Sequence, residues 1–289
     1  MSFAKTIAAF LRLVRFEHAL LFSFSVMIAE IVCSGGSLTI TPIILISLLV
    51  PIFSEMGAFA MNDLIDIKTD TLNKKHGRPL VTGELTPSFA RWTTAVSFIL
   101  AIAISYFISA PVFVLTLMLC FLAALYNLYL KDLPLFGNMY IAFTMGIPFI
   151  FGNLVVGGPI NPINVVVAVM GFTVGLAREI VKSVEDIKGD KAARKSKTLP
   201  IVIGSEKSLT IAGILYVSFV ILSVVPYYTY LAMGTGFIFV LVADLAFLYS
   251  ALVLIFSRRK NAQLPFLRKL SMLALFVGLV GILLSVLHF

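Results

Sequence analysis

The sequence predicts an all-α, polytopic membrane protein of nine transmembrane helices. Three observations carry that prediction: an extreme apolar composition, nine apolar stretches of membrane-spanning length, and a one-sided distribution of lysine and arginine. The 289-residue chain is 60% hydrophobic and 12% charged, against roughly 25% charged residues in a soluble domain. Inside a bilayer each backbone polar group must be satisfied within the spanning element itself, so helices are the default for such a chain.

A helix crosses the hydrocarbon in roughly 20 residues. Apolar stretches of that order lie near 18–36, 41–61, 89–109, 111–130, 136–157, 163–182, 208–230, 233–256 and 269–289. Their breaks have physical causes. Pro111 follows the polar Ser109. Lys131, Asp132 and Pro134 separate the fourth stretch from the fifth. The run "GGPINP" separates the fifth from the sixth, and "SRRKNAQLPFLRK" the eighth from the ninth. The expectation is one domain, residues 1–289.

Orientation follows from the bases. Lys5, Arg12 and Arg15 precede the first span. Lys68, Lys74, Lys75, Arg78 and Arg91 follow the second, and Lys131 follows the fourth. Eight more lie between Arg178 and Lys207, and five between Arg258 and Lys269. All 22 bases fall on alternate connections. The positive-inside rule then predicts a cell-membrane protein with its N-terminus and these loops in the cytoplasm and its C-terminus outside. The net charge of +8 suits loops facing an anionic leaflet and calls for no nucleic acid. Cys33 and Cys120 lie in separate apolar stretches and form no ligand or disulfide pattern. No small-residue cleavage site follows the first apolar run, so no removable signal peptide is expected.

Two of the cytoplasmic loops are long and chemically alike. In each, two acids four residues apart precede bases and a proline. Asp66 and Asp70 precede Lys74, Lys75, Arg78 and Pro79. Asp186 and Asp190 precede Arg194, Lys195, Lys197 and Pro200. The similarity reads as a weak internal repeat. Residues i and i+4 share a helix face. If the second span continues past the membrane edge, Glu55, Phe59, Asn62, Asp66 and Asp70 form one stripe. If the sixth does the same, Arg178, Lys182, Asp186 and Asp190 form another, with Gly189 loosening the helix. Clustered carboxylates repel unless a cation joins them. Paired oxygen donors suit magnesium, which takes one or two carboxylates together with substrate phosphates, and the interleaved bases suit the remaining phosphate oxygens. The constellation therefore reads as a magnesium-diphosphate site at the cytoplasmic edge. Its plain alternative is a set of solvated helix ends.

At this point the residues resemble a family. "NDLIDIKTD", Asn62 to Asp70, resembles the N-D-x2-D-x3-D signature of UbiA-type intramembrane prenyltransferases. "RPLVTGELTP", Arg78 to Pro87, resembles the segment that follows it there. "EDIKGD", Glu185 to Asp190, resembles the second acidic motif, and "KTLPIVIG" its sequel. The resemblance covers nearly the whole chain. It implies nine helices around a central cavity capped by the two polar loops, and magnesium-dependent transfer of a prenyl group from a prenyl diphosphate to a lipid-soluble acceptor. It implies Asn62, Asp66 and Asp70 as ligands from the first motif and Asp186 and Asp190 from the second. Asp63 belongs to the motif but falls off the stripe and takes a lesser role.

Physical chemistry agrees with that implication. Diphosphate leaves only when its charge is neutralised, which metal and bases supply. The allylic cation left behind needs an apolar, water-poor chamber. The chain's 25 Phe and 9 Tyr mostly pack or face lipid. Tyr126 is singled out beside Asn127 and Lys131, and Lys131 resembles a family lysine near the diphosphate; a plain positive-inside anchor is the other reading. Arg78, Arg178 and Lys182 complete the expected substrate-binding bases. "RFEH", Arg15 to His18, resembles an element found at the entry of the first span, although Phe16 and His18 depart from its pattern. Arg15 suits a phosphate, and His18 reads equally as an interfacial helix end.

The acceptor is read from two further stretches. "AREIVKSVEDIKGDKAARKSKTLPIVIG", Ala177 to Gly204, and "LFGNMYIAFTMGIPFIFGNLVVG", Leu135 to Gly157, resemble the digeranylgeranylglyceryl phosphate synthase branch, with Ser183 where that branch usually has Asp. The resemblance implies geranylgeranyl transfer to the glycerol hydroxyl of geranylgeranylglyceryl phosphate. The alternative within the fold is an aromatic prenyltransferase of quinone synthesis, because "VRFEHALLF" resembles the start of some of its members. A transporter is a third class. Ionisable groups inside spans cost roughly 2.5–3.5 kcal/mol, and Glu30, Glu55 and Asp244 keep it open. Transporters, however, gather such groups at the midplane, whereas here the acids gather at one edge.

Overall fold

The computed structural model describes residues 3–194, 197–257 and 260–287; within these, the side chains of 188–194 and 260 are not described. Among the described residues nine helices are long and apolar enough to span a membrane: Phe16–Cys33, Pro42–Ile65, Pro87–Tyr106, Ala110–Leu128, Phe136–Val156, Pro162–Ile187, Ser205–Thr229, Thr235–Phe256 and Asn261–Val286. They are called spans 1 to 9. No strand occurs among the described residues. The chain is a multi-pass membrane protein, as the hydropathy predicts.

Local chemistry explains where several spans begin. Thr41, Thr86 and Ser109 each sit in extended backbone just before a span. Their hydroxyls accept from the amides of Ile44 (3.3 Å), Phe89 (3.2 Å) and Val112 (3.4 Å). A proline in the first turn follows each cap, where the missing N–H is an orphan in any case.

Two segments differ from the sequence expectation. Span 9 begins about eight residues before the predicted 269 and runs through Pro265. Leu264 and Leu267 are buried with spans 6, 7 and 8, and that burial outweighs one lost backbone bond. Span 6 runs as a single helix from Pro162 to Arg194 without a break at Gly189.

Packing divides the molecule. Span 1 touches spans 2, 5, 6 and 9, so it lies at the centre, against span 5. Spans 2, 3 and 4 gather on one side and spans 6 to 9 on the other. Gly152 permits this close approach. A Cβ there would meet Ala29 Cβ at 2.6 Å and the Val26 carbonyl oxygen at 2.7 Å. Small residues serve membrane helices in this way, since lipid tails compete for apolar side chains and only close backbone contact is gained.

Among the described residues the interior holds two apolar chambers. The first holds about 560 Å³ among spans 1 to 5. The second holds about 700 Å³ among spans 1, 5, 6, 7, 8 and 9. Phe22 of span 1 and Pro148 of span 5 line both and form the wall between them. A helix Phe3–Leu13 precedes span 1 and buries Ala9 and Leu13 against Ala60, Leu80, Leu85 and Ala90.

Candidate active site

Span 2 ends at Ile65, and a short helix, Ile67–Leu72, follows Asp66 directly. Asp66 departs slightly from helical backbone, at φ −90° and ψ 4°. The i+4 bonding nevertheless continues, from the Asp66 amide to the Asn62 carbonyl (2.9 Å) and from the Asp70 amide to the Asp66 carbonyl (2.8 Å). Asn62, Asp66 and Asp70 therefore keep a common face past the membrane edge, as the spacing predicts. The chain then turns back through Lys74, in the left-handed region at φ 53°. The Lys74 amide donates to the Thr71 carbonyl (3.1 Å) and the Lys75 amide to the Asp70 carbonyl (3.0 Å). This is the Schellman closure of a helix C-terminus, built on lysine instead of glycine. Its consequence is that Lys75 and Arg78 face back toward the acids they follow.

The polar groups converge on a cleft of about 720 Å³. Arg15, Asn62, Asp66, Asp70, Lys75, Arg78, Tyr126, Lys131, Lys182 and Asp186 all line it, together with Asn138, Glu179, Ser183 and Thr198. Lys131 Nζ donates to Asp66 Oδ1 at 2.6 Å. Asn62 Nδ2 donates to Asp66 Oδ2 and to Asn127 Oδ1, both at 3.0 Å. Lys75 Nζ lies 3.3 Å from Asp70 Oδ1 and 3.2 Å from Asp186 Oδ2, so one ammonium bridges an acid of the short helix after span 2 and one of span 6.

Asp63 faces away from the stripe and is buried. Its Oδ1 accepts from Arg78 Nη1 at 2.7 Å and from Arg15 Nη2 at 3.0 Å. The Arg15 guanidinium also lies 4.3 Å above the ring of Phe59, a cation–π contact that fixes its plane. Burial, and then the neighbouring Arg78, pull the Arg15 pKa below the usual arginine value, while Asp63 pulls it back up. Arginine stays cationic at neutral pH under such opposing influences.

The cleft adjoins the first chamber. Tyr126, in the cleft wall, stacks on Tyr140, in the chamber wall, with ring centroids 4.8 Å apart. Glu55 and Ala58 continue the Asn62 face of span 2 down that chamber. A charged head and an apolar tail thus have adjoining compartments.

The donor set fits a hard divalent cation. Asp70 and Asp186 come from different helices and already share a cation, the Lys75 ammonium. Among the described residues no three His, Cys, Asp or Glu side chains gather closely enough to hold a metal alone. Magnesium has no need of that, since it keeps water and completes its shell with substrate phosphate.

Comparison with known proteins now decides the family. The UbiA prenyltransferase family matches residues 21–286. The chain belongs to that family. It is 32% identical over 276 residues to the digeranylgeranylglyceryl phosphate synthase of Archaeoglobus fulgidus, covering 93% of this chain and 92% of the relative. With the synthase of the same name from Thermococcus kodakarensis it shares 29% identity, covering 88% and 89%. A solved structure concerned with digeranylgeranylglyceryl phosphate synthase in membranes superposes with a TM-score of 0.75 at 26% identity, over 98% and 99% of the two chains. A UbiA homologue from Archaeoglobus fulgidus bound to DMAPP and Mg2+ shares the fold, with a TM-score of 0.62 at 23% identity over 94% and 98%.

For this UbiA-family chain the cleft gathers most of the residues singled out from sequence, with three exceptions. Arg178, expected to bind substrate, turns away. Its Nη1 donates to Ser271 Oγ (2.6 Å) and to the Arg268 carbonyl (3.4 Å), because it stands one turn deeper than Lys182 and faces span 9. His18 does not line the cleft either. Its ring packs 5.7 Å from Phe59 and supports the face that carries Arg15. The Asp190 side chain lies outside the described ones.

Sequence reasoning passed over Lys75 as a bridge, gave Asn127 no role of its own, and missed Asn138, Glu179 and Thr198. Glu179, Ser183 and Asp186 recur at i, i+4 and i+7, a stripe that could have been read beside the Lys182 one. Asn138 donates to Ser183 Oγ at 2.8 Å; no spacing announces that contact. The second loop reaches the cleft rim through the Lys197 amide, which donates to the Asp132 carbonyl at 3.2 Å.

Proposed function

We propose that this chain, acting as one domain over residues 1–289, transfers a geranylgeranyl group from its diphosphate to the glycerol hydroxyl of geranylgeranylglyceryl phosphate. The observation that carries the reading is the junction at Tyr126 and Tyr140, where a cleft of paired acids and bases meets an apolar chamber. The names of the relatives at about 30% identity over most of the chain support the choice of acceptor.

In this reading Asn62, Asp66, Asp70, Asp186 and Asp190 hold magnesium, which when bound neutralises charge on the diphosphate as its bond to C1 breaks. Lys75, Arg78 and Lys131 bind the diphosphate oxygens. Tyr126 closes the boundary between the polar cleft and the chamber, where water is excluded from the reacting carbon. Arg15 and Lys182 hold the phosphate of the acceptor and so place its hydroxyl. The hydroxyl oxygen forms the ether bond to C1, its proton leaves, and diphosphate departs. The one-sided bases support a cytoplasmic N-terminus and cleft with the C-terminus outside.

The test is purified protein with magnesium and geranylgeranyl diphosphate, offered glyceryl-ether phosphate and 4-hydroxybenzoate together. Mass spectrometry should find the doubly prenylated glyceryl phosphate. A prenylated aromatic as the main product would refute the acceptor while leaving the cleft intact.

A further inference from the structure

Ether formation has a proton to place. The glycerol oxygen gains a bond to C1, and its proton must pass to a group within hydrogen-bond reach, about 2.6–3.2 Å. Among the described residues four acids line the cleft: Asp66, Asp70, Glu179 and Asp186. Asp66 accepts from Lys131 and Asn62, and Asp70 and Asp186 share the Lys75 ammonium. Those three are the acids given above to magnesium. Glu179 has no part in that assignment.

Its position suits a different task. Glu179, Ser183 and Asp186 stand at i, i+4 and i+7 on span 6 and share one helix face. At 1.5 Å per residue, Glu179 lies about 10 Å deeper along the helix than Asp186. The donor's diphosphate belongs at the level of Asp186, and its C1 lies on the membrane side of that diphosphate. Glu179 is therefore near the depth of the bond being made, and below the metal ligands instead of among them.

The partner of Glu179 supplies a trigger. Lys182 Nζ donates to Glu179 Oε2 at 3.2 Å and to Oε1 at 3.4 Å. The lysine side chain is 37% exposed, and an ion pair in such a setting is weak. A phosphate carries more charge than a carboxylate and competes for the ammonium. The neighbouring guanidiniums are committed elsewhere, Arg178 to Ser271 of span 9 and Arg15 to Asp63. A phosphorylated acceptor that takes Lys182 thus releases the Glu179 carboxylate as it brings its own hydroxyl into the cleft.

We propose that Glu179 is the general base of ether formation. This rests on the glyceryl-ether reading, and the test separates the two. The glycerol oxygen gives an electron pair to C1, and the C1–O bond to diphosphate breaks with its pair staying on diphosphate. The hydroxyl proton moves to the Glu179 carboxylate. The resulting acid gives that proton to water as the products leave, and Lys182 pairs with the carboxylate again.

Glu179→Gln keeps the shape of the side chain and removes the base. Its kcat with geranylgeranylglyceryl phosphate should fall roughly 10²- to 10⁴-fold, the usual worth of general-base catalysis. The Michaelis constants of both substrates should rise by no more than about twofold, because binding is untouched. An acceptor with a thiol in place of the free hydroxyl separates chemistry from structure. A thiol ionises near pH 8.5 and needs little help, so the variant should use it within about fivefold of the unmodified protein. Glu179→Asp, which retains a carboxylate, should recover part of the rate. If Glu179→Gln fails to fold, the unmodified protein is treated with magnesium and an acceptor analogue carrying an epoxide in place of the hydroxyl. The base should open the epoxide and be left as an ester, and peptide mass mapping should find that ester on Glu179. An unchanged rate in Glu179→Gln, equal losses with hydroxyl and thiol, or an ester on another carboxylate would overturn the assignment. An unmodified protein that ignores the glyceryl ether would instead refute the function on which it rests.

Discussion

Lys131 and Asp66 are 65 residues apart in sequence, and their side chains meet at 2.6 Å in the floor of the cleft. The short 3-10 turn Leu130–Asp132 after span 4 delivers the lysine. Its side chain is 7% exposed, so it is no solvated anchor for the positive-inside rule. On the proposed function, a base held against one acid here would take charge from the leaving diphosphate as that acid turned to a cation. Lys131→Ala should lower kcat/KM for the prenyl diphosphate by roughly 10- to 150-fold, the worth of a charged hydrogen bond of about 1.5–3 kcal/mol. Lys131→Arg should recover part of it. Steady-state release of diphosphate measures both, and wild-type rates in Lys131→Ala would remove this lysine from the site.

Lys75 couples the two acidic loops, so its partners should not behave independently. Chelation should abolish activity and added magnesium restore it. Asp66→Ala, Asp70→Ala and Asp186→Ala should each cost orders of magnitude in turnover. Asp70 and Asp186 share the Lys75 ammonium. The double variant should therefore lose less than the product of the single losses, since contacting residues depart from additivity. Strict additivity in a double-mutant cycle would argue that Lys75 does not join them.

Asp63 separates stability from chemistry. It is 1% exposed as a side chain and faces two guanidiniums. Asp63→Ala leaves Arg15 and Arg78 without their common partner, and breaking such a buried pair costs roughly 3 kcal/mol or more. The melting temperature in detergent should fall clearly, whereas Asp186→Ala, with a 22% exposed side chain and a 29% exposed partner in Lys75, should lower it far less. Equal melting temperatures for the two variants would contradict this division of labour.

What was legible in the sequence follows from the range of each effect. Span positions depend on composition over about 20 residues, and all nine were readable. The acid stripes depend on i+4 spacing, and Asn62, Asp66 and Asp70 do share a face. Lys75 escaped because its direction is set by a left-handed turn at Lys74, where the sequence shows lysine and no glycine. Arg178 misled because it lies on the Lys182 side of span 6, yet its partner, Ser271, belongs to a helix 93 residues away. Phe22 and Pro148 line both apolar chambers, and Gly152 lets span 5 close on span 1 beside them. Contacts of that kind depend on which helices become neighbours, and no local pattern carries them.

Topology has a direct check. With Cys33 and Cys120 removed, Ile160→Cys lies on the exposed connection between spans 5 and 6, and His76→Cys on the exposed loop after span 2. An impermeant thiol reagent added to intact cells should label the first and spare the second, and disrupted cells should expose both. The basis is that all 22 bases fall on one set of connections. Labelling of both in intact cells would reject the orientation.

Arg15 carries the prediction that discriminates best between acceptors. It occupies a left-handed backbone position at φ 45° between the helix Phe3–Leu13 and span 1. Asp63 and the Phe59 ring hold its guanidinium at the cleft edge. A glycerol hydroxyl is a weak nucleophile, so its rate depends on being held close to the reacting carbon, and a phosphate on the same glycerol is the handle for that. Arg15→Ala should raise the Michaelis constant for the glyceryl-ether phosphate by roughly 10- to 150-fold, for one lost charged contact, and should change that for the diphosphate much less. A dephosphorylated ether should be comparably poor with the unmodified enzyme, because it lacks the group that Arg15 holds. Arg15→Lys should rescue only in part, since a point charge replaces a planar fork. Should Arg15→Ala weaken both substrates alike, the residue serves the fold or the diphosphate, and the acceptor's phosphate must be bound elsewhere in the cleft.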